Sequence, residues 1–169
     1  ALLARGEYLA FLDPDNALEP EFVARAVALL EREPELDYVT CWLRFIDAGG
    51  DDLAEGFAGY AALGNALMAD DENNWDGDAL TVMRRRLFSE LGYRFDPANL
   101  INHDWEFFRR LREDGRFGVV IPEWLARYRV LESSLLRSHG DRLQDRGRRK
   151  SAPAASSVAP ARIAEGWGG

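Results

Sequence analysis

Two carboxylates lie two residues apart directly after a short apolar segment near the start of the chain. Asp13 and Asp15 flank a proline and follow the run Tyr8–Leu12, which is too short for a helix and is predicted to be a central strand of the parallel type. A strand that ends in such a loop places hard oxygen ligands at the carboxyl edge of a sheet, where α/β proteins bind ligands. The pair could hold a divalent cation, although Asp-Pro-Asp-Asn is also good turn chemistry by itself.

The pattern of the following segments predicts alternating helices and strands around this loop. Apolar residues recur at helical spacing after Pro20, up to the sequence Glu-Arg-Glu-Pro at 31–34, and Tyr38 to Ile46 is a second strand. Residues 51–78 form a long irregular segment, of a length that is more often functional than idle. The remaining predicted elements are a strand at 79–83, helices at 85–91 and 104–112, a strand at 117–121 that Pro122 breaks, and an extended or partly helical segment at 124–131.

The composition is that of a globular chain with an acidic balance. The 169 residues include 21 basic and 29 acidic side chains, which give a net charge of −8, and 47% are apolar. Such a chain is a poor ligand for nucleic-acid phosphates, so no nucleic-acid partner is expected. Cys41 is the single cysteine, and no apolar stretch approaches the roughly 18 residues of a membrane span. We therefore expect a cytoplasmic domain.

Two other chemistries fit parts of the acidic pattern. The strand-Asp-x-Asp loop is similar to that of haloacid dehalogenase phosphatases, but Ala17 stands where that family has Thr or Val, and the single lysine is Lys150. A calcium loop of the EF-hand type could begin at Glu72, but its twelfth position is Met83, which cannot ligate calcium as a bidentate Glu does. The phosphatase interpretation stays open behind the one that follows, and the calcium loop is set aside.

A longer phrase around the two aspartates is more specific than the pair alone. It runs Gly6-Glu7-Tyr8-Leu9-Ala10-Phe11-Leu12-Asp13-Pro14-Asp15-Asn16 and is followed by Leu18, Pro20 and Phe22. This phrase resembles the family-2 glycosyltransferases of the GT-A fold, whose strand ends in Leu-Asp-x-Asp-Asp. The resemblance implies that Asp13 and Asp15 bind a nucleotide-diphosphate sugar, and that Asp15 also coordinates Mg²⁺ or Mn²⁺. Asn16 stands where the family has a third acid.

A second phrase, at the predicted helix from 104, resembles the next landmark of the same family. It reads His103-Asp104-Trp105-Glu106-Phe107-Phe108-Arg109-Arg110-Leu111 and ends at Gly115. The resemblance implies that Asp104 is the catalytic base that takes the proton from the acceptor hydroxyl. Without the resemblance, Asp104 would be interpreted as a helix cap with Glu106 in the first turn, and Trp105 is expected in the core.

Later phrases extend the resemblance to about Ser134. They are Asp76-Gly77-Asp78-Ala79 before Val82-Met83-Arg84-Arg85, Phe88 to Tyr93, Phe95-Asp96, and Val120-Ile121-Pro122-Glu123 with Leu125, Tyr128 and Arg129. The implied fold is an α/β domain of GT-A type, with a mixed sheet flanked by helices. Only the later part of that domain is matched, so we expect an incomplete domain at 1–146 and an Ala/Ser/Pro/Gly-rich linker or tail at 147–169.

The implied activity is an inverting, metal-dependent transfer by a hexosyltransferase-like enzyme. The sugar would pass from a nucleotide-diphosphate donor to a hydroxyl of a saccharide or lipid-linked acceptor, as in bacterial cell-surface polysaccharide synthesis, and the isolated chain is expected to be inactive. Basic residues at 146–150 suggest peripheral contact with the anionic inner face of a membrane. The alternative is a non-catalytic binding module of the same fold, which the replacement of acids by Asn16 and His103 favours.

Overall fold

Two long parallel strands form the centre of the sheet in the computed structural model, which describes residues 3–53, 59–64, 76–99 and 102–131. They are β3 (Leu36–Ile46) and β6 (Phe117–Arg129). The shorter strands are β1 (Tyr8–Ala10), β2 (Ala17–Leu18), β4 (Gly59–Tyr60) and β5 (Val82–Arg84). Their order is β1-β5-β3-β6-β2, with β4 also paired to β3, and every pair except β3–β6 is antiparallel. The expectation of an α/β chain with a mixed sheet is confirmed.

Helix α1 (Phe22–Arg32) covers one face of this sheet, as its periodicity predicts. Phe22, Ala26 and Leu30 recur every fourth residue and are fully buried, so they form one apolar stripe. This stripe packs with the β3 side chains Val39 and Cys41 in a single core cluster. The helix ends against Arg84 of β5, which donates hydrogen bonds to the backbone carbonyls of Leu30 and Leu36.

The opposite face of the sheet carries a second core built largely from aromatic rings. It is covered by the short helix α2 (Arg86–Ser89) and by α3 (His103–Glu113). The rings of Phe88 and Phe107 are stacked with their centroids 5.5 Å apart. The ring centroid of Tyr38, on β3, lies 5.1 Å from that of Phe108. Because α3 is fixed by these contacts, its first turn is held above the sheet.

Strand β6 does not end at Pro122, which corrects the strand boundary predicted from the sequence. The pairing with β3 shifts register between Ile121 and Trp124, so Pro122 and Glu123 lie in an irregularity opposite Cys41 and Trp42. A bulge of this kind accommodates a proline because one ladder hydrogen bond is already absent. The strand then continues to Arg129, which is hydrogen-bonded to Asp15 and Asn16. We call the loop at residues 13–16 the acidic loop.

The first strand also differs from its expected setting. Among the described strands, β1 stands at one end of the order and pairs antiparallel with β5, whereas a central, parallel strand was predicted.

The calcium-loop positions before Asp76, the region 132–146 and the predicted tail 147–169 lie outside the described residues. Within the described ranges, no helix combines the length and apolar character needed to cross a bilayer.

Candidate functional site

The loop that carries the first acidic pair passes across the sheet from β1 to β2. These strands stand at opposite ends of the strand order, with β5, β3 and β6 between them, so the intervening residues span the width of that order. The backbone N–H of Asn16 donates to the carbonyl of Asp13 at 3.1 Å, which closes a turn around Pro14 and Asp15. The side chains of Asp13 and Asp15 are exposed, and neither forms an ion pair within the described part of the chain.

A second acidic segment, Asp76-Gly77-Asp78, is anchored by a buried ion pair. Asp76 is fully buried; it accepts a hydrogen bond from the Tyr38 hydroxyl at 2.5 Å and from Nη1 of Arg112 at 2.6 Å. Gly77 has φ +101°, a backbone conformation that residues with a side chain rarely adopt, so the chain turns sharply between Asp76 and Asp78. Burial and the nearby Asp76 raise the pKa of Tyr38, so its hydroxyl stays a donor.

Asp104 lies in the first turn of α3, immediately after His103. The N-cap residue is Asn102, so the simple capping interpretation of Asp104 does not hold, although its Oδ1 accepts the backbone N–H of Trp105 at 2.8 Å. Burial raises the pKa of Asp104, while this hydrogen bond and the nearby His103 act in the opposite direction. The carboxylate is therefore a better proton acceptor than an exposed aspartate.

The carboxyl groups of these three segments act on one another electrostatically. Burial raises the pKa of Asp78 to about 6; the negative charges of Asp104 and Asp13 add to the rise, and the Leu80 N–H and His103 oppose it. Asp13 also raises the pKa of Asp104. Like charges produce such shifts only when they are close, so the fold gathers groups that are far apart in the sequence.

Tyr128 of β6 faces the same group of acids. Its pKa is raised first by burial and then by Asp78, Asp13, Asp15 and Asp104. We call these four carboxylates and the Tyr128 phenol the acidic site. The structure thus brings together the three residues that the sequence singled out.

Two members of the acidic site were not assigned a role from the sequence. Asp78 occurs in a quoted phrase, and it is distinguished there by the effect of Asp104 and Asp13 on its pKa. Tyr128 belongs to the quoted closing phrase, and its ring packs edge-on against that of Phe45, with the ring centroids 5.9 Å apart. A glycine between two acids was the available signal, since it marks a sharp turn that can present a side chain.

The donors of the acidic site suit a divalent cation that is shared with a phosphate ligand. The exposed carboxylates of Asp13 and Asp15 supply hard oxygen atoms, the type that Mg²⁺ and Mn²⁺ prefer. Within the described ranges, no set of three or more His, Cys, Asp or Glu residues could hold a metal alone. Mg²⁺ is commonly held by one or two carboxylates together with substrate phosphates and water, so the arrangement fits that mode.

Comparisons with known proteins give one distant relative and a similar fold. No family model matches the sequence. Over 129 residues the chain is 24% identical to a Methanocaldococcus jannaschii protein named "Uncharacterized glycosyltransferase MJ1057", a match that covers 76% of this chain and 43% of that protein. The fold is similar to that of S. aureus TarS residues 1–349, crystallised in complex with UDP, with a TM-score of 0.51 and 16% identity over 76% of this chain and 37% of TarS. The chain spans less than half the length of either protein.

Proposed function

We propose that this chain is part of a glycosyltransferase that transfers a sugar from a nucleotide-diphosphate sugar to a hydroxyl group, with inversion. The observation that carries the proposal is the gathering of Asp13, Asp15 and Asp104 in the acidic site. The distant relative named as a glycosyltransferase supports this general class of activity. The UDP in the TarS structure supports a nucleotide-sugar donor.

In the proposed reaction, Asp104 is the general base. Its carboxylate takes the proton of the acceptor hydroxyl as the acceptor oxygen bonds to the anomeric carbon. The bond from that carbon to the diphosphate oxygen breaks, and the nucleoside diphosphate leaves with the electron pair. The raised pKa of Asp104 favours proton transfer, and the hydrogen bond from Trp105 holds the carboxylate in place.

The exposed pair in the loop has a different role. Asp13 and Asp15 would bind the donor, and Asp15 would also hold a divalent cation, Mg²⁺ or Mn²⁺. The bound cation would offset the negative charge on the leaving diphosphate. Without a cation, a diphosphate close to four carboxylates would be repelled, so we expect donor binding to depend on the cation.

Thermal unfolding of the natural full-length protein tests the binding step. UDP, GDP and dTDP are each added with and without Mn²⁺, and a stabilisation that needs both components is expected for one nucleotide. Asp15→Ala should abolish it, and Asp104→Asn should keep the shift while abolishing sugar transfer. Glu31→Ala, an exposed acid on α1, is the matched control and should behave as wild type.

The outcome separates the enzyme from the binding module. A folded protein that responds to none of the nucleotides, with or without Mn²⁺, contradicts the transferase and leaves the non-catalytic module. Transfer that survives Asp104→Asn contradicts the assignment of the base. The anomeric configuration of the product, read by NMR, tests inversion directly.

A further inference from the structure

Arg129, the last residue of β6, is hydrogen-bonded to two separate segments, the loop at Asp15 and Asn16 and the turn at Asp47 and Ala48. Its Nε donates to the carbonyl of Asp15 at 2.8 Å, and its Nη1 donates to the carbonyls of Asp47 and Ala48 at 2.7 and 2.9 Å. Its backbone N–H donates to Oδ1 of Asn16 at 2.8 Å. One residue therefore links the loop to the ends of both central strands.

The chemistry of these contacts requires arginine. The acceptors of the guanidinium are carbonyl oxygens that lie in different directions, and only a planar fork of donors reaches them together. A lysine ammonium would place its donors on a single atom, so it could not bond to the Asp15 carbonyl and to the Asp47 turn in the same way.

The far side of the link is itself a rigid turn. Oδ1 of Asp47 accepts the backbone N–H groups of Gly50 and Asp51 at 2.9 and 3.0 Å, and the backbone N–H of Asp47 donates to the Asp51 carbonyl at 2.9 Å. Arg129 thus joins the acidic loop to a closed turn at the end of β3, and movement of the loop would break several hydrogen bonds at once.

Asn16 completes the link from the side of the loop. Its side chain accepts from the Arg129 backbone, and its own backbone N–H closes the turn to Asp13. The position needs an acceptor, which an amide supplies without adding a negative charge beside Asp13 and Asp15. An asparagine can therefore accept this hydrogen bond at a position where the family that the chain resembles has an acid.

We propose that Asn16 and Arg129 are positioning residues that hold the loop of Asp13 and Asp15 in one conformation, so that the carboxylates are preorganised for a cation and a diphosphate. The proposal rests on the proposed function for its ligand, while the hold on the loop can be measured without any ligand. Neither residue needs to touch the substrate, because both act through the backbone of the loop.

Hydrogen–deuterium exchange of the ligand-free chain is the first readout. In Asn16→Ala and Arg129→Lys, the amides of residues 15–18 should exchange at least about tenfold faster, whereas those of β3 should keep wild-type rates. Asn16→Asp retains an acceptor and should restore slow exchange. Arg127→Lys is the matched control: Arg127 lies two residues away on the same strand and pairs with Glu19 at 2.6 Å.

The second readout is the dissociation constant for Mn²⁺-dependent nucleotide binding, which should rise about tenfold in Asn16→Ala and Arg129→Lys and stay unchanged in Arg127→Lys. Wild-type exchange of residues 15–18 in a folded Asn16→Ala protein overturns the proposal. Weaker binding with unchanged exchange also overturns it, in favour of direct ligand contact. Faster loop exchange in a chain whose wild type binds no nucleotide supports the hold on the loop and contradicts the proposed function instead.

Discussion

The ring of Tyr38 lies directly over Gly118, its neighbour on the adjacent parallel strand. A Cβ built on Gly118 would overlap three ring atoms of Tyr38, so an alanine does not fit without displacing the ring. The Tyr38 hydroxyl is also the donor to the buried carboxylate of Asp76. A glycine in β6 therefore sets the position of the segment that presents Asp78 to the acidic site.

Gly118→Ala should destabilise the fold by about 3 kcal/mol, because overpacking a rigid core costs about 1–3 kcal/mol and this overlap is severe. Gly115→Ala is the control, since nothing lies near its Cβ position and its φ of +69° should cost only about 1 kcal/mol. Denaturant unfolding measures both. Adding Tyr38→Leu removes the ring, so the double variant should be more stable than the sum of the two single effects predicts; additive effects would count against the overlap.

The elements that the sequence could predict are those with a repeating pattern or a strong turn signal. The buried stripe of α1 was found because the helix needs one apolar face, and β3 was found because a run of β-forming residues ends there at a glycine turn. The placement of Asp104 near Asp13 followed only from resemblance, since nothing local in either segment encodes their approach. The rise that Asp13 causes in the pKa of Asp104 now supports the placement.

The contacts that the sequence could not predict join segments that are distant along the chain. The overlap of Tyr38 with Gly118 depends on strand register, and the continuation of β6 through Pro122 depends on a bulge. The arginines are a third case, since Arg84 and Arg129 donate hydrogen bonds to backbone carbonyls of other elements. Such long-range bonds carry no periodic signal.

Arg112→Met should destabilise the protein by about 3–5 kcal/mol. The substitution leaves the Asp76 carboxylate fully buried without its cation, and an uncompensated buried charge is costly. Arg44→Met removes an exposed ion pair with Asp52 and should have little effect, since solvent screens that pair. Chemical unfolding at pH 7 compares the two variants. Equal, small losses would show that the Asp76 pair does not stabilise this segment.

Cys41 should be unreactive toward thiol reagents in the native protein. It is fully buried in the core under α1, and burial raises its pKa to about 12, so the reactive thiolate is nearly absent at pH 8. Labelling with a disulfide reagent should therefore follow unfolding in denaturant, with the same midpoint as circular dichroism. Rapid labelling without denaturant would contradict the burial of this strand.

Asp78→Asn should stabilise the protein at neutral pH, and this gain in stability over the wild type should disappear at low pH. The folded pKa of Asp78, about 6, lies above its ordinary value of 3.8, so the native state binds the proton more tightly than the unfolded state between these values. The contribution of Asp78 to the stability of the wild type should then fall as pH rises from about 4 to about 6 and stay level above. A shift of about 2 pKa units corresponds to about 3 kcal/mol.

Asparagine cannot titrate, so the difference in unfolding free energy between Asp78→Asn and wild type should grow by about 2–3 kcal/mol from pH 4 to pH 8. Denaturant unfolding at each pH measures it, with Glu31→Gln as an exposed control whose difference stays flat. If Asp78 is a functional carboxylate that lowers the stability of the fold, Asp78→Asn should also bind ligand more weakly than the wild type. A pH-independent difference would contradict the burial of Asp78 beside Asp104, and unchanged ligand binding would place Asp78 outside the working part of the acidic site.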